Sequence, residues 1–246
     1  EDPVHVSDAF AENGLEMIGG VVFRAFHDPA QWDDVLDGSK RTCEALVAHG
    51  AQHLVLIDSI SPRRAPTAGR ALEAKQMDAA EWAAYVTRFR EICKMGVDHG
   101  LTVGIHAHAA GFMDFEPELE RLLGEIPEDL LQICFDTGHH SYAGFDPIAF
   151  MEKWISRISY LHFKDIDPKV KADVIAKRTG FYDACGQGIF CNLGDGDVDF
   201  SAARQLLLDN EFQGWCTVEQ DCDPTLDVRP VDDARLNRTY LQSIGF

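Results

Sequence analysis

The sequence has few basic residues and no long apolar run. Its 246 residues include 22 Lys and Arg against 41 Asp and Glu, a formal net charge of −19. A field of that sign repels phosphate backbones and anionic lipid surfaces, so we expect neither nucleic acid nor a membrane as a partner. No apolar run approaches the roughly 20 residues that span a bilayer. A disordered acidic chain is also excluded, because 46% of the residues are hydrophobic.

Paired cysteine motifs are lacking as well. The seven cysteines form no C-x-x-C pair, and several lie inside apolar runs such as LQICF at 131–135. This pattern is typical of a reducing compartment and, with no visible export signal, predicts a cytoplasmic protein. The length fits one large domain, and we expect a single domain over residues 1–246.

The chain contains a repeated unit in which a helix-period segment ends at a glycine and a strand-like run follows at once. Glycine past a helix end takes the left-handed conformation that closes the last turn. The unit occurs at Gly14, Gly50, Gly100 and Gly214. With two further apolar runs, the predicted strands are 16–23, 53–57, 102–108, 131–136, 158–164 and 215–220. Six βα units of this regularity predict a parallel sheet.

Polar residues at the strand ends favour a closed (β/α)8 TIM barrel over an open doubly wound sheet. No predicted strand is followed by the G-x-G-x-x-G of a dinucleotide fold. Several strands instead end in His, Asp or Glu, and the carboxyl ends of barrel strands meet at the catalytic rim. The segments 59–70 and 167–197 interrupt the repeat, and we expect both to cover that rim.

Three of these strand ends carry residues that suit a divalent cation. Asp136, His162 and Glu219 supply nitrogen and oxygen ligands for manganese, magnesium, cobalt or zinc. The alternative is structural: Asp136 caps a helix or turn, His162 is a satisfied core histidine, and Glu219 pairs with a lysine such as Lys164. We interpret the recurrence at successive strand ends as a metal site.

The motifs around these residues resemble the xylose-isomerase-like TIM barrels, which include sugar isomerases, sugar epimerases, keto-inositol dehydratases and endonuclease IV of the AP-endonuclease type. They are D-T-G-H at 136–139, H-F-K-D at 162–165, L-G-D-G-D-V-D-F at 193–200 and G-W-x-x-V-E-Q-D at 214–221. Together with I-H-A-H at 105–108, they look most like the myo-inosose (2-keto-myo-inositol) dehydratase branch. The resemblance covers roughly residues 15 to 224.

The resemblance implies that Asp136, His162 and Glu219 bind a divalent metal, with manganese favoured. Either His106 or Asp114 would complete the ligand set. Because the first strand of this chain matches the third strand of relatives, we expect two strands to lie outside the chain, or a second chain to complete the wall. A homo-oligomer is therefore expected.

The implied reaction removes water from a cyclic keto-polyol through an enediolate. His108 or Glu219 would take the α-proton, and His139 or Lys164 would protonate the leaving hydroxyl. Further substrate contacts are expected from Asp114, Asp165 and Phe190. Arg63 and Arg64 suit either phosphate binding or a solvated surface, and an unphosphorylated small-molecule polyol or sugar is the expected substrate.

Three other functions remain open from the sequence. Isomerisation or epimerisation of a ketose would use the same site and the same enediolate. A phosphodiesterase of the endonuclease IV kind would have to hold a polyanion, and the net charge of −19 argues against it. A barrel that binds sugar without turnover is the last alternative.

Overall fold

The structure, a computed structural model, describes residues 3–223, 225 and 229–246. The strands are β1 (Gly19–Arg24), β2 (His53–Asp58), β3 (Thr102–Ile105), β4 (Gln132–Asp136), β5 (Ile158–Phe163), β6 (Asp165–Ile166), β7 (Phe190–Cys191) and β8 (Trp215–Val218). The α-helices are α1 (Pro3–Asn13), α2 (Trp32–Ala48), α3 (Ala79–Asp98), α4 (Glu116–Glu125), α5 (Thr137–Tyr142), α6 (Pro147–Trp154), α7 (Pro168–Lys177), α8 (Phe181–Gly186), α9 (Phe200–Asp209) and α10 (Pro230–Ser243).

The six predicted strands form one parallel sheet in the order β1-β2-β3-β4-β5-β8. This confirms the expectation of repeated βα units. The register places Asp136 opposite His162 across β4 and β5. Because every strand runs in the same direction, the polar residues at their carboxyl ends collect on one rim.

Helix α3 shows why the helices form and which face they bury. Asp78 accepts hydrogen bonds from the backbone N–H groups of Ala80 and Glu81, and the Glu81 side chain accepts from the Asp78 N–H. This capping box satisfies the first-turn donors. The apolar stripe of α3, including Trp82 and Phe89, is buried against the sheet.

The predicted left-handed glycine occurs at three of the four repeats. Gly14, Gly50 and Gly100 have φ between 61° and 78°. At the fourth, Glu211 takes the positive φ and Gly214 does not. Gly214 is needed for space instead, since a Cβ there would lie 2.6 Å from the carbonyl oxygen of Ser159 on β5.

The interruption at 167–197 is more regular than the sequence suggested. It contains helices α7 and α8, and β7 pairs with β6 in an antiparallel ribbon. The segment 59–70 includes a short 3-10 turn, Ala65–Thr67. Arg70 Nη1 donates to the Thr179 carbonyl at 3.2 Å, so the two segments are joined.

The outer strands of the sheet are β1 and β8, and no other strand in the described residues pairs with their free edges. Val21, Phe23, Trp215 and Val218 are consequently between 37% and 49% exposed. Completion of the wall by further strands or by a second copy stays a prediction. Within the part of the chain that the structure describes, no helix is long and apolar enough to cross a membrane.

Candidate metal and substrate site

Four side chains converge at the rim, each placed there by a neighbouring strand. Asp136 ends β4 and His162 lies within β5. The N–H of His106 bonds to Leu56, and the N–H of Glu219 bonds to Phe163, each at 3.0 Å, so both residues extend the parallel ladder. One nitrogen or carboxylate oxygen from each of the four residues lies within 4.8 Å of the others. His106, rather than Asp114, is the fourth member of this cluster.

Several buried polar atoms of the cluster make no hydrogen bond within the described part of the chain. His106 Nδ1 and Nε2 and Asp136 Oδ2 are buried and make no hydrogen bond among the described residues. Buried polar atoms are costly unless they are satisfied. His162 Nδ1 lies only 2.5 Å from Glu219 Oε2, and His106 Nε2 lies 3.5 Å from Asp136 Oδ2. Two imidazoles and two carboxylates aimed at one point fit a divalent cation.

A second group of side chains stands beside the cluster and is organised by Lys164. Its fully buried ammonium donates to Glu219 Oε1 and Asp221 Oδ2, each at 3.0 Å, and lies 2.9 Å from His139 Nε2. Asp136 Oδ2 is 3.6 Å away. The Lys164–Glu219 pair that the structural alternative expected is therefore present, and Asp221 and Asp136 share the same ammonium.

The charges of these groups follow from burial and from each other. Burial disfavours the charged form of Lys164, but Asp136, Glu219 and Asp221 outweigh it and raise its pKa. Burial likewise opposes ionisation of Glu219, but contact with His162 and the charge of Lys164 lower its pKa. Lys164 is thus an ammonium held among carboxylates.

For His139 and His108, burial and the neighbouring basic groups both favour the neutral imidazole. Burial, reinforced by His108 and Lys164, lowers the pKa of His139 well below its usual range. Burial, with His106 and Lys164 adding to it, lowers the pKa of His108 to about 4. His108 Nδ1 lies 2.8 Å from the Ala109 carbonyl, which only accepts, so Nδ1 carries the proton and Nε2 keeps a free lone pair.

A cavity of about 400 Å³ opens beside these groups. It is lined by Phe23, Ile60, His108, Phe181, Tyr182, Cys185, Asp221, Cys222 and Asp223. A cavity lined by both polar groups and aromatic rings is typical of a small-molecule site.

A family model described as xylose isomerase-like TIM barrel matches residues 2–244 of the chain. The chain belongs to this family. It is 28% identical over 162 residues to an inosose dehydratase of Clostridium botulinum, covering 66% of this chain and 54% of that protein. It is 29% identical over 245 residues to the inosose dehydratase of Erwinia tasmaniensis, covering 98% of this chain and 81% of that protein. The chain thus spans between about half and four fifths of these relatives.

Solved structures show the same fold. The IOLI protein, whose crystal structure holds a zinc atom, superposes with a TM-score of 0.73 at 11% sequence identity, covering 99% of this chain and 81% of that one. At such low identity the likeness establishes the xylose isomerase-like fold alone. It agrees with the parallel βα units and with the polar rim.

Two residues predicted to bind substrate, Asp165 and Phe190, already make other contacts within the chain. The four lone pairs of Asp165 accept from the N–H groups of Ile166, Gly194, Gly196 and Val198, at 2.9 to 3.1 Å. Asp165 therefore organises the 194–198 turn and has no acceptor left for a substrate.

Phe190 also packs inward rather than onto the cavity. It is 4% exposed, its ring centroid lies 5.0 Å from Lys164 Nζ, and its ring meets that of His139 edge to face at 5.1 Å. It supports the ammonium through a cation–π contact and holds the imidazole in place. Any effect of Phe190 on the substrate is therefore indirect, through the positions of Lys164 and His139.

Asp114 lies apart from the cluster and is fully enclosed. Its Oδ2 accepts from the Ala110 N–H at 3.0 Å, and its Oδ1 has no partner among the described residues. Burial raises the pKa of Asp114 to about 7, although Ala110 and Arg64 oppose the shift. The carboxyl is therefore poorly suited as a metal ligand and is half-protonated near neutrality.

We expect Asp114→Asn to stabilise the protein above neutral pH. The native state keeps the Asp114 proton between about pH 4 and pH 7 while the unfolded state loses it, so stability falls as pH rises through this window. Asparagine mimics the protonated form, and the gain over wild type should grow from near zero at pH 4 to at most roughly 4 kcal/mol above pH 7. Urea unfolding across this range tests the prediction, with exposed Asp173→Asn as control. Parallel pH curves for Asp114→Asn and wild type would contradict it.

Asp221 belongs to the site but was not among the residues predicted from the sequence, although it ends the V-E-Q-D motif. Asp221 follows Glu219 by two residues, and side chains alternate along an extended chain, so both point to the same face. It contacts Lys164 and lines the cavity. Spacing alone was the signal that would have found it.

Proposed function

We propose that the protein dehydrates an uncharged cyclic keto-polyol such as 2-keto-myo-inositol, with a divalent metal held by His106, Asp136, His162 and Glu219. The observation that carries this proposal is the convergence of two imidazoles and two carboxylates within 4.8 Å of one another, beside a cavity that contains a neutral histidine. The similarity to inosose dehydratases supports the choice of reaction.

When bound, the metal supplies a Lewis acid that makes the proton next to the substrate ketone acidic. His108 is the base in this proposal, because its free Nε2 lone pair is neutral and the residue lines the cavity. Glu219 is less suited, since Oε1 accepts from Lys164 and Oε2 contacts His162. The α-proton therefore moves to His108 Nε2.

The departing hydroxyl needs a proton, which we assign to Lys164. Of the two predicted donors, Lys164 carries an ammonium proton and contacts Asp221 at the cavity wall, while His139 is neutral. Asp221 connects the buried ammonium to the cavity, since it accepts from Lys164 and lines the wall. His139 fixes the position of Nζ. Together these steps remove one water molecule from the ring.

Product analysis tests this reaction. Metal-loaded protein is expected to convert 2-keto-myo-inositol to a dione, with the ultraviolet absorbance of the product and a mass loss of one water. A product with unchanged mass and a rearranged carbonyl or hydroxyl would instead select a ketose isomerase or epimerase. Binding of the ketone without any turnover would refute both reactions.

The four ligand side chains, two imidazoles and two carboxylates, favour some divalent metals over others. The family resemblance favours manganese, but two imidazoles among four ligands suit zinc and cobalt better than manganese or magnesium. We expect the metal-stripped protein to bind zinc and cobalt at least about tenfold more tightly than manganese in competition with a chromophoric chelator. His106→Glu should narrow this gap, because an oxygen ligand replaces a nitrogen. Equal affinities for zinc and manganese in wild type would contradict the prediction.

A further inference from the structure

A layer of side chains lies beneath the metal-binding cluster, on the same face of the sheet. Tyr160 precedes His162 by two residues on β5, and Thr217 of β8 precedes Glu219 by two residues. Because side chains alternate along a strand, Tyr160 and Thr217 point to the face that carries these two ligands. No step of the proposed reaction uses either residue.

A side-chain hydrogen bond joins the two strands within this layer. The hydroxyl groups of Tyr160 and Thr217 lie 2.5 Å apart. Strand β8 needs such support, because it pairs with β5 on one side and with no other strand among the described residues. The bond therefore fixes the end of β8, which carries Glu219, against the strand that carries His162.

The Tyr160 ring also contacts the imidazole of His162. The two rings meet edge to face, with centroids 5.1 Å apart and planes at 88°. Tyr160 is itself fixed by the core, since it belongs to a buried cluster with Cys134 and its ring centroid lies 5.2 Å from that of His53. The aromatic contact thus restricts the His162 ring through packing that does not depend on a metal.

We propose that Tyr160 is a positioning residue for the metal site, which sets the separation and orientation of His162 and Glu219. Its ring acts on the first ligand, and its hydroxyl acts on the second through Thr217. The inference rests on the proposed function for the identity of the ligands, and it adds a residue that belongs neither to the cluster nor to the cavity lining. Without the hydroxyl bond, metal binding would have to order the end of β8, and this ordering opposes binding.

Zinc binding and the visible spectrum of the cobalt-loaded protein test this role. Tyr160→Phe and Thr217→Val each remove one hydroxyl of the bond, and we expect each to weaken zinc binding about tenfold in competition with a chromophoric chelator. The d–d absorption bands of bound cobalt should shift, because they report the geometry of the ligands. The double variant should bind zinc about as tightly as the single variants, since both changes break the same bond. Thr217→Ser keeps the hydroxyl and should retain wild-type affinity.

The matched control is Tyr85→Phe, which removes a buried tyrosine hydroxyl on α3 that makes no hydrogen bond among the described residues. It should change neither the affinity nor the spectrum. Wild-type affinity and an unshifted cobalt spectrum in Tyr160→Phe would overturn the inference, as would additive losses in the double variant or an equal loss in Tyr85→Phe. In these cases the metal site itself stands. Wild-type protein that binds no metal would instead refute the metal site of the proposed function, and the positioning role with it.

Discussion

His162→Ala is expected to abolish tight metal binding and to lower dehydration by roughly 10³-fold or more, because Lewis-acid stabilisation is worth several kcal/mol. His162 is central to the cluster: it lies opposite Asp136 in the register and its Nδ1 contacts Glu219. Removing the imidazole also leaves the Glu219 carboxylate without one of the contacts that lowers its pKa. Metal content after dialysis and turnover are the two measurements.

The matched control is His99→Gln, which removes an exposed histidine at the end of α3. It should retain both metal and activity. If His162→Ala kept stoichiometric metal and near-wild-type turnover, the four-residue cluster would not be the metal site. A loss of turnover with metal retained would also contradict our account, because the effect would then lie outside metal binding.

Lys164→Met is expected to lower kcat by roughly 10² to 10⁴-fold with a smaller change in KM, because the proton donor is lost while the cavity walls remain. The metal-free variant should also lose about 3 to 5 kcal/mol of unfolding free energy, since three neighbouring carboxylates lose their shared cation. Methionine keeps much of the side-chain volume, so cavity formation contributes little.

Kinetics and denaturant unfolding of Lys164→Met are compared with those of Lys177→Met. Lys177 pairs with Asp173 on the exposed side of α7, and its replacement should change stability by less than about 1 kcal/mol. Unchanged kcat in Lys164→Met would reject the donor role. Unchanged stability would show that the buried network is not coupled to folding.

The parallel sheet could be predicted from the sequence because each strand is a short apolar run after a helical segment. Hydrophobic periodicity and the residues that end each helix are local properties of the sequence. They place β2 and β5 within one residue of their observed bounds. The segment 167–197 could not be predicted in this way. Helices α7 and α8 have ten and six residues, and the β6–β7 ribbon has two residues per strand, so none of these elements presents a long periodic signal.

In the candidate site too, local sequence patterns predicted some residues correctly, whereas contacts between distant segments could not be predicted. Residues at strand ends, such as Asp136 and Glu219, have directions set by the two-residue alternation, and the structure brings them together. Asp165 begins the short strand β6 just after β5, where the N–H groups of the 194–198 turn donate to both of its carboxylate oxygens. That contact joins residues about thirty positions apart. Sequence spacing carries no information about it.

Close packing around the site adds constraints that a motif does not show. Gly138 of the D-T-G-H motif leaves room for Lys164, since a Cβ there would lie 2.6 Å from Lys164 Cγ. The glycine of this motif is therefore needed to make room for Lys164, and the same motif positions His139. Asp136 also helps to position His139. Its Oδ1 accepts from the His139 N–H at 2.7 Å, and Asp136 is the N-cap residue of α5.

The most direct test of this account is a titration of the metal-stripped protein with zinc or cobalt, in which bound metal and turnover of 2-keto-myo-inositol are followed together. We predict that both saturate at one metal ion per chain and that removal by a chelator reverses both. Turnover that is unchanged in the metal-stripped protein, or metal that binds stoichiometrically without any dehydration, would contradict the central claim.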